Sequence, residues 1–145
     1  MGLIMQRNLK DDIMSTSESF SVNFADKGNF DFSVESLQSV DDILEELSDF
    51  EMDGEMLHSV SSMAGCYIFE VARRNFGGEY FWIEEREQPV LITGEPDFSI
   101  SLYAFDKVKG RIQNGKEDHI PFYFEGYISA VEKGRRSSGY CATIV

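Results

Sequence analysis

The chain is 145 residues long and carries 26 Asp and Glu against 13 Lys and Arg, a formal net charge of −13. Hydrophobic residues make up 42% and aromatics 13%, with twelve Phe, which excludes a disordered tail and fits one domain with a sizeable core. An acidic balance of this size repels nucleic acid, anionic lipid and nucleotide phosphates, and attracts a basic protein.

Residues 1–17 are polar and without period, and read as a flexible N-terminal segment. No apolar run approaches the length of a membrane span, and "MGLIMQRNLKDD" lacks a secretory pattern. Gln6 stands where a myristoylation signal would want Ser or Thr, so cytoplasmic residence is the expectation. "SFSVNF" (19–24) alternates Phe20, Val22 and Phe24 with polar residues, the period of a half-buried strand, and "FDF" could add a second. Ser33 reads as an N-cap, with Phe32 and Leu37 placed to form a hydrophobic staple. Val34, Leu37, Val40, Ile43, Leu44 and Leu47 then follow at helical spacing, predicting an amphipathic helix over 34–48.

A second helix runs from about Asp53 or Gly54 to Phe76. Met56, Val60, Met63, Tyr67 and Val71 make one stripe, and Ala64, Ile68 and Ala72 a second apolar face. A helix apolar on two faces is a central one, and Gly77-Gly78 ends it. "EYFWIEE", "PVLITG" and "DFSISLYAF" read as three strands. "FDKVKGRIQNG" is a short helix closed by Gly115, and helical pattern resumes through "EDHIPFYFEGYISAVEKG" with Pro121 in the first turn. The last residues, 136–145, form a tail that is either loose or a final edge strand. The expected architecture is a single α+β domain over 18–135, a small antiparallel sheet packed against about four helices.

Glu70 lies three residues from Arg73 and four from Arg74 on one helix, a spacing that pairs carboxylate with guanidinium locally. Flanked by Tyr67, Ile68, Phe69 and Val71, it is expected to be buried. Such a carboxylate is either a structural ion pair, Glu70 with Arg73 and Arg74, or a general acid or base with a shifted pKa. No His, Cys or Ser stands at a spacing that completes a catalytic group. The segments around Glu70, together with "FDFSVESLQSVDDILEEL" and "AFDKVKGRIQNGKEDHIPFYFEGY", resemble a family of small, mostly bacterial proteins of unknown function. That family shows a Gly-x-Tyr-x-Gly-Glu-Val-x-Arg-Arg core helix, matched by Gly65, Tyr67, Glu70, Val71, Arg73 and Arg74, with Asn75, Gly77 and Gly78 following. Its later segment is matched by Phe105, Lys107, Val108, Arg111, Ile112, Asn114, Gly115, Glu117 and Asp118. Phe69 stands where the family often has Gly. The resemblance spans roughly residues 30–130, implies an α+β fold, assigns no activity, and points to relatives that neutralise toxins in interbacterial competition.

Residues 1–55 hold fourteen acids against three bases, and residues 56–145 twelve against ten. Asp41, Asp42, Glu45, Glu46, Asp49, Glu51, Asp53 and Glu55 give eight acids in fifteen residues with no base among them, of which the first five fall largely on the outer face of the 34–48 helix. They are the candidate partner-binding residues, and a solvated face of one sign is the bland alternative. "DFEMDGE" imitates the start of a calcium loop, but the closing position is Val60 rather than a carboxylate. His58, His119, Cys66 and Cys141 form no close pair for zinc or a disulfide framework. Basic clusters at Arg73-Arg74, Lys107–Arg111 and Lys133–Arg136 are small for RNA, and "TIV" matches a C-terminal carboxylate ligand only over three residues. The expectations are no cofactor and no metal. Two functions stay open: an immunity-type inhibitor whose acidic face docks a basic toxin domain such as a nuclease, or a small enzyme using Glu70. A structural adaptor is a further alternative.

Overall fold

Asp53 is extended and accepts a hydrogen bond from the Met56 N–H at 2.8 Å, which opens helix α3 (Gly54–Phe76). The computed structural model describes residues 2–145, with side chains from Asn8 onward; Met1 of the segment expected to be loose lies outside the described residues. Helix α1 (Gly2–Asn23) precedes a loop and a 3₁₀ turn at Val34–Ser36, which leads into α2 (Leu37–Leu47). After α3 come β1 (Glu79–Ile83), β2 (Gln88–Thr93), β3 (Ser99–Leu102), α4 (Phe105–Asn114), α5 (Ile120–Arg136) and β4 (Cys141–Ile144). The protein is a single small α+β domain.

The sheet order is β1-β2-β3-β4. The first three strands are antiparallel, with Tyr80 opposite Leu91 and Leu91 opposite Leu102. The tail supplies the fourth strand, parallel to β3 with Ile100 opposite Ala142, so the sheet is mixed rather than antiparallel throughout. A parallel return needs a crossover, and α4 and α5 provide it. α3 lies between α1 and α4 and reaches β2, while α5 packs against β3 and β4. A Cβ on Gly65 would come within 2.4 Å of the Phe105 ring, so glycine there lets the start of α4 cross α3 closely.

Residues 2–23 are helical where a loose segment and a strand over 19–24 were expected, and "FDF" forms no strand. Phe20 is 2% exposed while Val22 is 75% exposed. Phe20 and Phe24 therefore meet as a helical i, i+4 pair, ring centroids 4.8 Å apart. Phe20 also packs against Phe30 and Tyr67, at 5.2 Å each. The same cluster holds Phe32, whose backbone takes a left-handed φ of 64°. Its N–H donates to the Tyr67 hydroxyl at 3.0 Å, its carbonyl accepts from Asn75 Nδ2 at 2.9 Å, and Arg74 lies 3.7 Å over its ring. Three fixings around one residue hold a conformation that costs a β-carbon-bearing residue about 1–3 kcal/mol.

Ser33 caps the 3₁₀ turn, its hydroxyl accepting from the Ser36 N–H at 3.2 Å. At the other end of α3, Gly77 (φ 82°, ψ 178°) accommodates a region almost reserved for glycine. Gly78 (φ 131°) adds a close approach, since a Cβ there would meet the Ile92 carbonyl oxygen at 2.8 Å. The two adjacent glycines thus turn a buried helix into the edge of a sheet. Gly77→Ala is expected to cost about 1–3 kcal/mol, and Gly78→Ala more, because strain and backbone overlap add there. Urea denaturation of the two variants checks the order; equal midpoints would refute it.

Candidate functional site

Two buried ion networks organise the charged residues. Asp41, expected on the outer acidic face, is 4% exposed and lies inside. Its Oδ1 accepts from Arg111 Nε at 2.8 Å and from the Ile120 N–H at 2.9 Å, and its Oδ2 from Arg111 Nη2 at 3.1 Å. The physical reason is position: Asp41 falls four residues after Leu37 and three before Leu44, on the apolar stripe itself, facing α4 and the start of α5. Burial alone would raise its carboxyl, but the hydrogen bonds from Arg111 and Ile120 and the adjacent positive charge outweigh that and hold it below the usual 3.8. Glu45 reaches the same guanidinium from the surface at 2.7 Å, and Arg111 Nη1 has no hydrogen-bond partner among the described residues.

The second network centres on Glu70, which is fully buried. Arg73 holds it bidentately at 2.7 and 2.9 Å, Arg74 Nε donates at 3.0 Å, and the Tyr80 hydroxyl donates at 2.8 Å. Desolvation pushes the carboxyl up, yet the donors from Arg73, Tyr80 and Arg74 prevail and lower it below the ordinary 4.5. Four donors occupy the two oxygens. A carboxylate so held joins α3 to β1 and is poorly placed to exchange a proton.

The rest of the acidic run stands outside. Asp42, Glu45, Glu46, Asp49, Glu51, Asp53 and Glu55 are exposed. Lys27 pairs with Glu46 at 3.3 Å across an exposed gap, an interaction worth little in water. Asp53 serves as the α3 cap, and Val60, the position that would close a calcium loop, lies within α3. Among the described residues Asp42, Asp49, Glu51, Asp53 and Glu55 have no cationic partner within 4.0 Å. Within the same segment stand two large apolar side chains, Phe50 at 67% exposure and Met56 at 53%. Their exposure was missed in reading the sequence, although Phe50 lies past the last apolar position of the α2 stripe and could have been noticed on that ground.

A cleft of about 640 Å³ opens between α1, α3 and the β1–β2 hairpin, with His58, Ser62 and Cys66 on its α3 side. Burial pushes the Cys66 thiol up to about 12, with Glu70 and Asp12 adding to the effect. It is therefore a neutral thiol at physiological pH, the opposite of an activated nucleophile. Cys141 is exposed in β4. Among the described residues no three of His, Cys, Asp and Glu converge to hold a metal ion, and no helix is long and apolar enough to cross a membrane.

No family model matches the chain, and neither a curated protein nor a solved structure is detectably similar to it.

The two buried carboxyls fix the response to acid. Each has a folded pKa below its unfolded value, so its stabilisation is complete above about pH 5 and drains away as pH falls through 4.5 and 3.8 toward the folded values. The urea midpoint should be flat from about pH 7 to 5 and fall below that. Asp41→Ala and Glu70→Ala should each cost about 3–5 kcal/mol at neutral pH, since each strands a buried guanidinium or hydroxyl. Each variant should also show a shallower acid decline than the parent chain.

Proposed function

We propose that the chain is an acidic protein-binding module that captures a basic protein, in the manner of an immunity-type inhibitor neutralising a toxin domain such as a nuclease. The observation that carries this reading is the surface at the end of α2 and the start of α3. There, Phe50 and Met56 are interleaved along the chain with the exposed carboxylates Asp49, Glu51, Asp53 and Glu55, none of which has a cationic partner among the described residues. Two large apolar side chains within one acidic segment offer a partner something to bury, which charge kept for solubility does not require. Interfaces combine apolar anchors, which carry affinity, with a charged rim, which steers encounter and selects the partner. A field of this sign accelerates association with a basic domain, a property suited to an inhibitor that must act before damage is done.

The toxin-neutralising part of the reading rests on the resemblance carried by the Gly65–Arg74 and Phe105–Asp118 segments. Residence in the cytoplasm, exclusion of nucleic acid and anionic membranes, and a non-enzymatic role belong to the same proposal. Glu70, saturated by Arg73, Arg74 and Tyr80, supports a structural part for the residue on which an enzyme would have had to draw. Asp41 leaves the docking set because it is buried, and Glu45 contributes less because Arg111 already engages it.

The test begins with recovery at low salt of what binds the chain in the cell that makes it, followed by kinetics with the purified partner. Reversing Asp42, Asp49 and Glu51 to Lys should leave the melting temperature almost unchanged. Association should slow by about tenfold or more and lose much of its salt dependence, because rim charges act on the encounter rate. Phe50→Ala should instead speed dissociation. Association and dissociation rates that ignore all four substitutions would reduce the surface to a solubility device.

A further inference from the structure

The cleft between α1, α3 and the β1–β2 hairpin lies on other elements than α2 and has its own chemistry. Its volume, about 640 Å³, falls within the range of small-molecule sites. Leu9, Ile13, Trp82, Pro89 and Phe105 give it apolar walls. Asp12 enters from α1, and Glu84 and Glu87 from the hairpin turn. These three carboxylates are exposed, and among the described residues none has a cationic partner within 4.0 Å. The hairpin's own cation, Arg86, sits 4.4 Å over the Tyr103 ring and is absent from the cleft lining. Among the described residues His58 is the one basic side chain in the lining, and Cys66 brings an uncharged thiol.

We propose that this cleft binds a small organic cation, a protonated amine or guanidine carried on an apolar body, with the charge facing Asp12, Glu84 and Glu87 and the body against Trp82. An apolar pocket alone would accept any hydrophobe. Three lining carboxylates without a cationic partner among the described residues select by sign, favouring a cation and repelling carboxylates and phosphates. The indole adds a face suited to an ammonium or guanidinium group. This site does not depend on the α2–α3 surface, and its failure would leave the protein-docking reading intact.

Trp82 is the chain's single tryptophan, so its emission reports the cleft alone. Three probes of matched body and different charge decide the matter: 2-phenylethylamine, 2-phenylethanol and 3-phenylpropionate. The amine should change Trp82 emission saturably and raise the melting temperature. The alcohol should bind about tenfold more weakly or worse, a difference equal to one well-placed cation contact, and the carboxylate should not bind. Asp12→Asn combined with Glu84→Gln and Glu87→Gln should weaken the amine by about tenfold with the melting temperature of the free protein retained, since these groups are exposed and have no ion-pair partner among the described residues. Ligand-observed NMR with Trp82→Phe supplies a readout independent of the indole, and there the amine should bind more weakly. Equal binding of amine and alcohol, amine binding indifferent to the triple substitution, or no saturable binding of the amine would each overturn the proposal.

Discussion

Every residue of α3 from Ala64 to Ala72 is buried, and the rest of the molecule is arranged to make that tolerable. A helix enclosed on all sides has to satisfy whatever polar groups it carries inward. Tyr67 does so by accepting from the Phe32 N–H at 3.0 Å and sharing a hydrogen bond with Ser36 at 2.7 Å. Glu70 does so through two arginines of its own helix and the Tyr80 hydroxyl. Gly65 yields its side chain so that Phe105 can lie across it. The loop before α2, the first strand and the start of α4 are each fastened to α3 at one of these points, so the placement of the surrounding elements follows from enclosing a single helix.

The same logic separates two populations of acid. Asp41 and Glu70 are inside, each saturated by hydrogen bonds and bound to guanidinium groups, and their work is to join elements. The acids from Asp42 to Glu55 are outside, mostly without partners among the described residues, and raise the local negative potential. Nothing in residue type separates the two groups; burial and the reach of an arginine do. That is why a count of acids in the sequence overstates the acidity of the surface, two of the carboxylates lying inside, and why Arg111, 1% exposed, belongs to the architecture rather than to a basic patch.

The sequence displayed α3 clearly because two apolar stripes and a double glycine leave no other element to assign. It displayed the three antiparallel strands for the same reason, alternation bounded by turn residues. The α1 region was ambiguous in kind: Phe20, Val22 and Phe24 satisfy a two-residue period, and also a four-residue one if Val22 faces solvent. Only the presence of Tyr67 and Phe30 to receive Phe20 decides between them. Asp41 was legible in principle, since it lies on the Leu37–Leu44 stripe, but its partner is 70 residues away, and spacing arguments see only local pairs. The parallel docking of the tail was hidden likewise, because Ala142 and Ile144 find their places against a strand three elements earlier. The cleft could not be read at all, being made from α1, α3 and a hairpin that meet only after folding.

The distance along the chain between Asp41 and Arg111 has a kinetic meaning. Closing a loop of 70 residues costs entropy before the contact returns anything, whereas Glu70 and its arginines meet within one helical turn. A contact of the first kind that forms only after the folding transition state is felt mainly as a slower escape from the native state. Formed at that stage, the Asp41–Arg111 pair is a latch: it adds little to the speed with which the helices find one another and much to the lifetime of their arrangement once α4 and α5 have closed over α2.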